Sequence, residues 1–323
     1  MGGAASVFEK FKNSYSLTAG LRMSPQEFER EVNDEIKQLE KHFDHIGQPY
    51  NNNKYSGLTR YALATTSRVG GHYLGQLLGN SGSGSPLEYL GSWEIENFYR
   101  DRSESTRRPS LNDYWDGRFH AASAQGTPFG IKLNLRNVFS LVAYDALPFG
   151  PRGWKWVYLY REDVIAQAIS FTLAQVTGEW HSIERARASS VRDVDLDQVE
   201  NNLITLFKAR AGWDALFSLF EIKPLMISYE EIDRDVLGCL QKVRSYLGLS
   251  NAQLRLAPFE MLQKQAGPLS MKIKDRFMRE RLPFLSAREP WDLSKPPPSA
   301  APPRYSRRPP SGLLPWSVPP GPG

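Results

Sequence analysis

The sequence has one cysteine, Cys239, which excludes an internal disulfide and a cysteine-built zinc site and fits a reducing compartment. Cys239 reads as a small apolar core residue. No run of 18 or more apolar residues occurs, so a membrane-spanning helix is not expected. The start, Met1-Gly2-Gly3-Ala4-Ala5-Ser6, lacks the basic region and apolar stretch of a secretory signal, and the expectation is a cytoplasmic protein without stable membrane insertion. That start also matches the N-myristoylation pattern at Gly2, although one acyl chain would hold a membrane only marginally. Charge of one sign is scarce as well. Lys and Arg total 40 against 35 Asp and Glu, a net charge of +5, and part of that surplus is Arg304, Arg307 and Arg308 near the end. So small an excess is not built to neutralise a phosphate backbone, and nucleic acid is not an expected partner. An anionic small molecule suits it better.

What is present is a chain of 323 residues, 41% hydrophobic and 12% aromatic, enough for one large core plus extensions. Ser24, Pro25 and Glu27 look like a capping-box start for a helix over residues 24 to 47, with Gly47 placed to end it. Phe28, Val32, Ile36, Leu39, Phe43 and Ile46 form its apolar stripe. The stripe must lie on the main domain or on a second subunit, which leaves open a homodimer through this helix. After the Asn51-Asn52-Asn53 linker, Tyr61 to Thr66 reads as a strand and Tyr73 to Leu78 as a helix. Trp154 to Tyr160 reads as a second strand, followed by a helix from Asp163 to Gln175. Then come a long helix from Asp197 to Phe220, with Leu203, Leu206, Phe207, Trp213, Leu216 and Phe217 as core candidates, a buried strand from Pro224 to Tyr229, and a helix from Asp235 to Leu247 ending at Gly248. Strand followed by helix, repeated, argues for an α/β fold around a parallel sheet. From Pro290 onward about a third of the residues are proline, so no core is possible there and a disordered tail is expected. The expected division is 1–55 helical N-terminal extension, 56–289 main domain and 290–323 Pro-rich tail.

Two segments carry chemistry. Thr65-Thr66-Ser67-Arg68-Val69-Gly70-Gly71-His72 lies between a strand and a helix. Such a turn aims backbone N–H groups and the positive end of the helix at one point, its glycines allow close approach, and Arg68 adds a bidentate charge. It is not a nucleoside-triphosphate P-loop, because no lysine follows the glycines. Taken alone it also reads as a structural turn with an exposed arginine. In the second segment Arg161 ends a strand and Ser170 lies nine residues on, along the next helix. Ligands of open α/β sheets bind outside the carboxyl ends of strands, so Arg68 and Arg161 share one rim if their strands are parallel neighbours. Two arginines there suit a ligand with two separated phosphates. Pairing of Arg161 with Glu162 or Asp163 is the structural alternative.

Together these segments resemble the bacterial carbohydrate sulfotransferases typified by trehalose sulfotransferase. The pattern runs through Arg68-Val69-Gly70, Gly84-Ser85-Pro86-Leu87-Glu88, Gly130-Ile131-Lys132, Arg161 with Gln167-Ala168-Ile169-Ser170, and Gln175-Val176-Thr177-Gly178-Glu179-Trp180. It extends to Gly212-Trp213, Ser228-Tyr229-Glu230 and Lys264-Gln265-Ala266, from about Tyr61 to about Arg279. The resemblance implies a P-loop-like sulfotransferase fold and an enzyme using 3'-phosphoadenosine 5'-phosphosulfate (PAPS), with the desulfated nucleotide PAP as product and no metal. It implies Arg68, Val69, Gly70 and Gly71 around the 5'-phosphosulfate, and Arg161 with Ser170 on the 3'-phosphate. Lys264 and Gln265 would close over the nucleotide, and Glu88 would be general base for a hydroxyl of a carbohydrate or glycolipid acceptor.

The chain departs from the family loop, which carries Ser or Thr where Val69, Gly71 and His72 stand here. His72 could donate to a sulfonate oxygen, serve as an alternative base, or only cap its helix. Lys132 either meets the donor or simply ends a strand. Trp180 and His181, and the segment holding Tyr89, Trp93, Phe98, Tyr99 and Trp115, are candidates for the acceptor pocket or for packing. The rival readings are a phosphotransferase on a similar fold and a nucleotide-binding protein without sulfotransfer.

Overall fold

The computed structural model describes residues 25–100, 108–180, 193–252, 254 and 267–282, without the side chains of residues 25–28. Met1–Phe277 forms one compact unit; residues 278–323 form another, described only over residues 278–282. The elements are α1 Pro25–Glu40, β1 Arg60–Ala64, α2 Gly71–Asn80, α3 Ser92–Arg100, α4 Leu111–Ala124, β2 Phe129–Leu133, α5 Leu135–Ala143, β3 Lys155–Tyr160, α6 Val164–Thr177, α7 Leu196–Leu219, β4 Leu225–Ser228, α8 Tyr229–Arg234, α9 Val236–Leu247 and α10 Pro268–Arg281.

The four strands form one parallel sheet in the order β2-β1-β3-β4, with Ala62 beside Ile131 on one side and Trp156 on the other. The α/β class expected from the strand and helix alternation is what the chain adopts. The alternation of side chains divides each inner strand between two cores. Ala62, Ala64, Trp156 and Tyr158 face a large aromatic cluster with Trp115, Phe119, Phe129, Trp213 and Phe217, while Tyr61, Leu63, Val157 and Leu159 face an aliphatic one with Leu74, Leu77, Leu240 and Val243. Cys239 is buried in the second cluster, where burial first and the nearby Glu231 and Asp235 push its thiol up to about 12.

Helix α1 stops at Glu40 instead of running to Gly47. Amides 41 to 43 still donate to helix carbonyls in a closing turn, after which the backbone finds other partners: the Asp44 N–H donates to the Pro109 carbonyl, and the His45 carbonyl accepts from the Leu111 N–H. Val32, Ile36, Leu39, Phe43 and Ile46 are nonetheless all buried, so the stripe survives the helix end. It lies on α5 of the same chain, where Ser140 Oγ donates to the Val32 carbonyl at 3.3 Å and Asn137 donates to Glu35. Phe207 is a correction of another kind. It is half exposed on α7, because the core-facing positions there are taken by Leu206, Trp213, Leu216 and Phe217.

The order β2-β1-β3 makes the crevice between the carboxyl ends of β1 and β3 the switch point of the sheet, since the chain leaves β1 toward β2 and leaves β3 toward β4.

Candidate functional site

The loop after β1 is held from below and from the side. Trp213 Nε1 donates to the Thr65 carbonyl at 3.2 Å, and the buried amide of Gln167, in the first turn of α6, donates to Thr66 Oγ1 at 2.9 Å and to the Ser67 carbonyl at 2.7 Å. Arg68 then adopts φ 60, a left-handed backbone that costs a non-glycine residue about 1 kcal/mol or more. Gly70, at φ 90, must be glycine twice over, because a Cβ there would stand 2.6 Å from the Tyr229 ring. Gly70 caps α2, and its side-chain-free cap leaves the first turn of that helix open toward the crevice.

The contorted loop carries Arg68 across the crevice. Its Nε donates to Ser170 Oγ on α6 at 3.2 Å and its Nη1 to the Trp180 carbonyl at 2.5 Å. Arg161, at the end of β3, lies over the Tyr229 ring at 4.9 Å and stands 3.7 Å from a Glu230 carboxylate oxygen. Glu230 is the partner in place of Glu162 or Asp163, because those two residues offer their backbone N–H groups to it, at 2.9 and 3.4 Å. Arg161 makes no hydrogen bond with the described residues. Burial and then the neighbouring Arg161 charge lower the Arg68 guanidinium from its ordinary value. Two guanidinium groups thus bear on each other at the switch point, an arrangement that a bound polyanion would relieve.

A second cluster lies on the β2 side. The segment after α2 adds to the edge of β2: Leu87 pairs with Ile131, and the Lys132 N–H donates to the Leu87 carbonyl at 2.8 Å. Two glycines make this possible. Gly84, at φ 84, has no room for a Cβ against the Pro128 carbonyl oxygen at 2.3 Å, and a Cβ on Gly130 would meet the Tyr61 ring at 2.5 Å. The edge pairing sets Glu88 beside Lys132, whose Nζ lies 2.7 Å from Glu88 Oε1 and 3.0 Å from His72 Nδ1. The Lys132 side chain is 8% exposed and that of Glu88 is 63% exposed, so a buried ammonium holds a carboxylate that faces solvent.

The structure therefore brings together Arg68, Val69, Gly70, Gly71, His72, Arg161 and Ser170 around one crevice, with Glu88 and Lys132 on its β2 side. Ser170 meets Arg68, whereas the resemblance had grouped it with Arg161. Val69 is a core residue, buried under the loop. Lys264, Gln265 and His181 lie outside the described residues. Of the aromatic candidates, Trp115 is core and Tyr89, Phe98 and Tyr99 pack against it, while Trp93 is 67% exposed. Trp180 is also exposed, and it contributes its carbonyl to Arg68. Gln167, Tyr229 and Glu230, whose motifs were visible in the sequence, were given no task there; their contacts with the rim are made across the fold, where no spacing shows them. Among the described residues no group of three or more His, Cys, Asp or Glu could hold a metal ion, and no helix is long and apolar enough to cross a membrane.

Residues 146–280 match the family model for Stf0 sulphotransferase. Over 128 residues the chain is 30% identical to trehalose 2-sulfotransferase of Mycolicibacterium smegmatis, covering 38% of this chain and 45% of that protein. It is 28% identical over 125 residues to trehalose 2-sulfotransferase of Mycobacterium tuberculosis, covering 39% and 46%. The chain thus spans less than half the length of these curated relatives. The family match contains Arg161, Ser170, Tyr229 and Glu230, while Arg68, Glu88 and Lys132 lie before it. The likeness to the bacterial carbohydrate sulfotransferases, first visible in separate short motifs, is borne out by this match: residues 146–280 are similar to the Stf0 sulphotransferases.

Proposed function

We propose that the chain is a sulfotransferase that moves a sulfuryl group from PAPS to a hydroxyl of a carbohydrate or glycolipid acceptor. The observation that carries this is the meeting of Arg68, Ser170 and Arg161 at the β1/β3 switch point, within a family otherwise known for sulfuryl transfer. PAPS, when bound, supplies the activated sulfuryl group. Arg68, the backbone N–H groups of Val69 to Gly71 and the start of α2 receive its 5'-phosphosulfate, and Arg161 receives its 3'-phosphate, with Ser170 holding Arg68 in place between them. Lys264 and Gln265 complete the nucleotide site in this proposal. Glu88 takes the acceptor proton as the new oxygen–sulfur bond forms, and the bond from sulfur to the phosphate oxygen breaks to release PAP. Charge growing on that leaving oxygen is met by the guanidinium and the loop N–H groups.

Glu88 suits its part for a geometric reason. Its exposed carboxylate can reach an incoming hydroxyl, and the Lys132 ammonium lies 2.7 Å from it. The trehalose 2-sulfotransferase relatives motivate a sugar as the acceptor class, and the exposed Trp93, five residues after Glu88 in the chain, offers an aromatic face for a sugar ring. The test is incubation of the purified protein with labelled PAPS, with labelled ATP and with neither donor, each against a panel of mono- and disaccharides. Label on a sugar from PAPS alone is the expected result. Label from ATP would make the protein a phosphotransferase, and PAP-stabilised melting without any labelled product would make it a binding protein.

A further inference from the structure

We propose that Lys132 is a positioning residue that fixes His72 in its neutral Nε2–H tautomer, making His72 a hydrogen-bond donor to the sulfuryl oxygens and leaving Glu88 to act as the base. The inference deepens the sulfotransfer reading and rests on it for the second half of its claim.

Lysine's ammonium has three donors and no acceptor. One of its hydrogens goes to Glu88 Oε1 at 2.7 Å. A second points at His72 Nδ1 at 3.0 Å, so Nδ1 must present its lone pair, and the ring proton must sit on Nε2. An imidazolium in this place would set an N–H against an ammonium and two positive charges at hydrogen-bond distance. A base needs a free ring nitrogen; here one nitrogen is occupied by Lys132 and the other already carries a proton. Among the groups bearing on His72 are Lys132 from β2, Glu88 through that lysine from the edge segment, and the N-terminal turn of α2 on which it stands, whose positive end further disfavours a charged ring.

The local sequence makes room for this arrangement. Gly71 lies against the Lys132 stem, where a Cβ would come within 3.1 Å of Lys132 Cδ and 3.1 Å of Thr65 Cγ2. The glycine that replaces a hydroxyl residue of the family loop therefore lets the buried lysine pass beneath the loop to reach His72. Gly71, His72 and Lys132 act as one device, in which the hydroxyl donor missing from the loop is replaced by an imidazole N–H.

The full chain, labelled with nitrogen-15, gives the tautomer directly from long-range nitrogen–proton correlations at pH 7.5, with the His72 signals assigned by their loss in His72→Gln. The Nε2–H pattern is expected in the parent and in Lys132→Arg, and an appreciable Nδ1–H population is expected in Lys132→Met. A cationic or Nδ1–H ring in the parent overturns the proposal, as does a Lys132→Met spectrum identical to the parent's. Should the methionine variant fail to fold, the parent spectrum still decides the tautomer, and a kinetic pair decides the role. His72→Gln, whose amide can place an N–H near the Nε2 position, should lose no more than about tenfold in turnover, whereas His72→Leu should lose about a hundredfold or more. Equal, large losses in both variants would mark His72 as a base and overturn the assignment. A parent with the Nε2–H tautomer but no transfer from PAPS would sink the proposed reaction instead, leaving the lysine's hold on His72 intact.

Discussion

Arginines at different places in this sheet are treated in opposite ways. Arg60, at the amino end of β1, gives its guanidinium to the carbonyls of Gly153, Tyr55 and Ser56 at 3.2, 2.9 and 3.1 Å and lies 3.5 Å over the Phe149 ring. Arg244, buried on α9, binds the Ser81 and Ser250 carbonyls and Ser83 Oγ. Both are clamps whose acceptors are fixed parts of the fold. At the carboxyl end of the sheet, Arg68 is held by one hydroxyl and one carbonyl beside a like charge, and Arg161 forms no hydrogen bond with the described residues and has a carboxylate oxygen only at 3.7 Å. Although the buried Nε of each clamp has no partner in the described structure, their terminal nitrogens are spent on oxygens of the fold, whereas Arg161 keeps its terminal nitrogens in reserve. That difference, more than exposure, separates the proposed binding rim from the structural one.

The comparison is sharpened first at the carboxylate that the binding rim serves. Glu88→Gln keeps the shape and loses the proton acceptor, so turnover should fall by about a hundredfold to ten-thousandfold while PAP affinity, read by calorimetry, stays within about threefold. Normal turnover in that variant would remove Glu88 as the base. Arg161→Ala comes next, with PAP binding weakened by about tenfold to a hundredfold and little change in melting temperature without ligand, since among the described residues this side chain makes no hydrogen bond. An unchanged affinity would put Arg161 among the clamps.

The sequence showed the sheet well and the site in halves. Strands β1 and β3 were visible because Tyr61 to Ala64 and Trp156 to Leu159 are unbroken apolar runs, the mark of strands buried on both faces. β2 was given no range and entered only through the Gly130-Ile131-Lys132 motif, with a strand end as one of two readings of Lys132, since Lys132 reads as polar until Glu88 and His72 are seen to satisfy its ammonium. Arg68 and Arg161 could be assigned to one rim from strand ends alone. The bond from Arg68 to Ser170 could not, because it depends on the left-handed backbone at Arg68, which no spacing rule anticipates. The end of α1 was misjudged for a similar reason: Gly47 is a good local stop, but the Asp44 N–H and the His45 carbonyl pair with a segment more than 60 residues away.

On the structural side the effect moves from binding to stability. Arg244→Met removes a buried guanidinium and strands the Ser81 and Ser250 carbonyls, at a cost of about 2 to 4 kcal/mol in unfolding free energy. PAP affinity of the folded fraction should be unchanged, the mirror image of Arg161→Ala. A variant that melts like the parent but binds PAP poorly would erase the distinction between the two kinds of arginine.

The smallest effect tests a cation that clamps the binding rim from outside. Asp163 caps α6 by accepting the Ala166 N–H at 3.0 Å, and Lys274 of α10 reaches its other oxygen at 2.5 Å. Burial alone would raise this carboxyl, but the Lys274 contact, the Ala166 N–H and the Lys274 and Arg161 charges together hold it below the ordinary aspartate value of 3.8. A folded-state value lower than the unfolded one adds stability above about pH 4, and that stability is lost as pH falls through the folded value. Lys274→Met should therefore cost less than about 1 kcal/mol at pH 7, because the pair is partly exposed and screened. Melting curves of parent and variant should converge as the pH drops below 3.8. A gap that stays constant from neutral to acid pH would mean that Lys274 contributes by packing and not by its charge on Asp163.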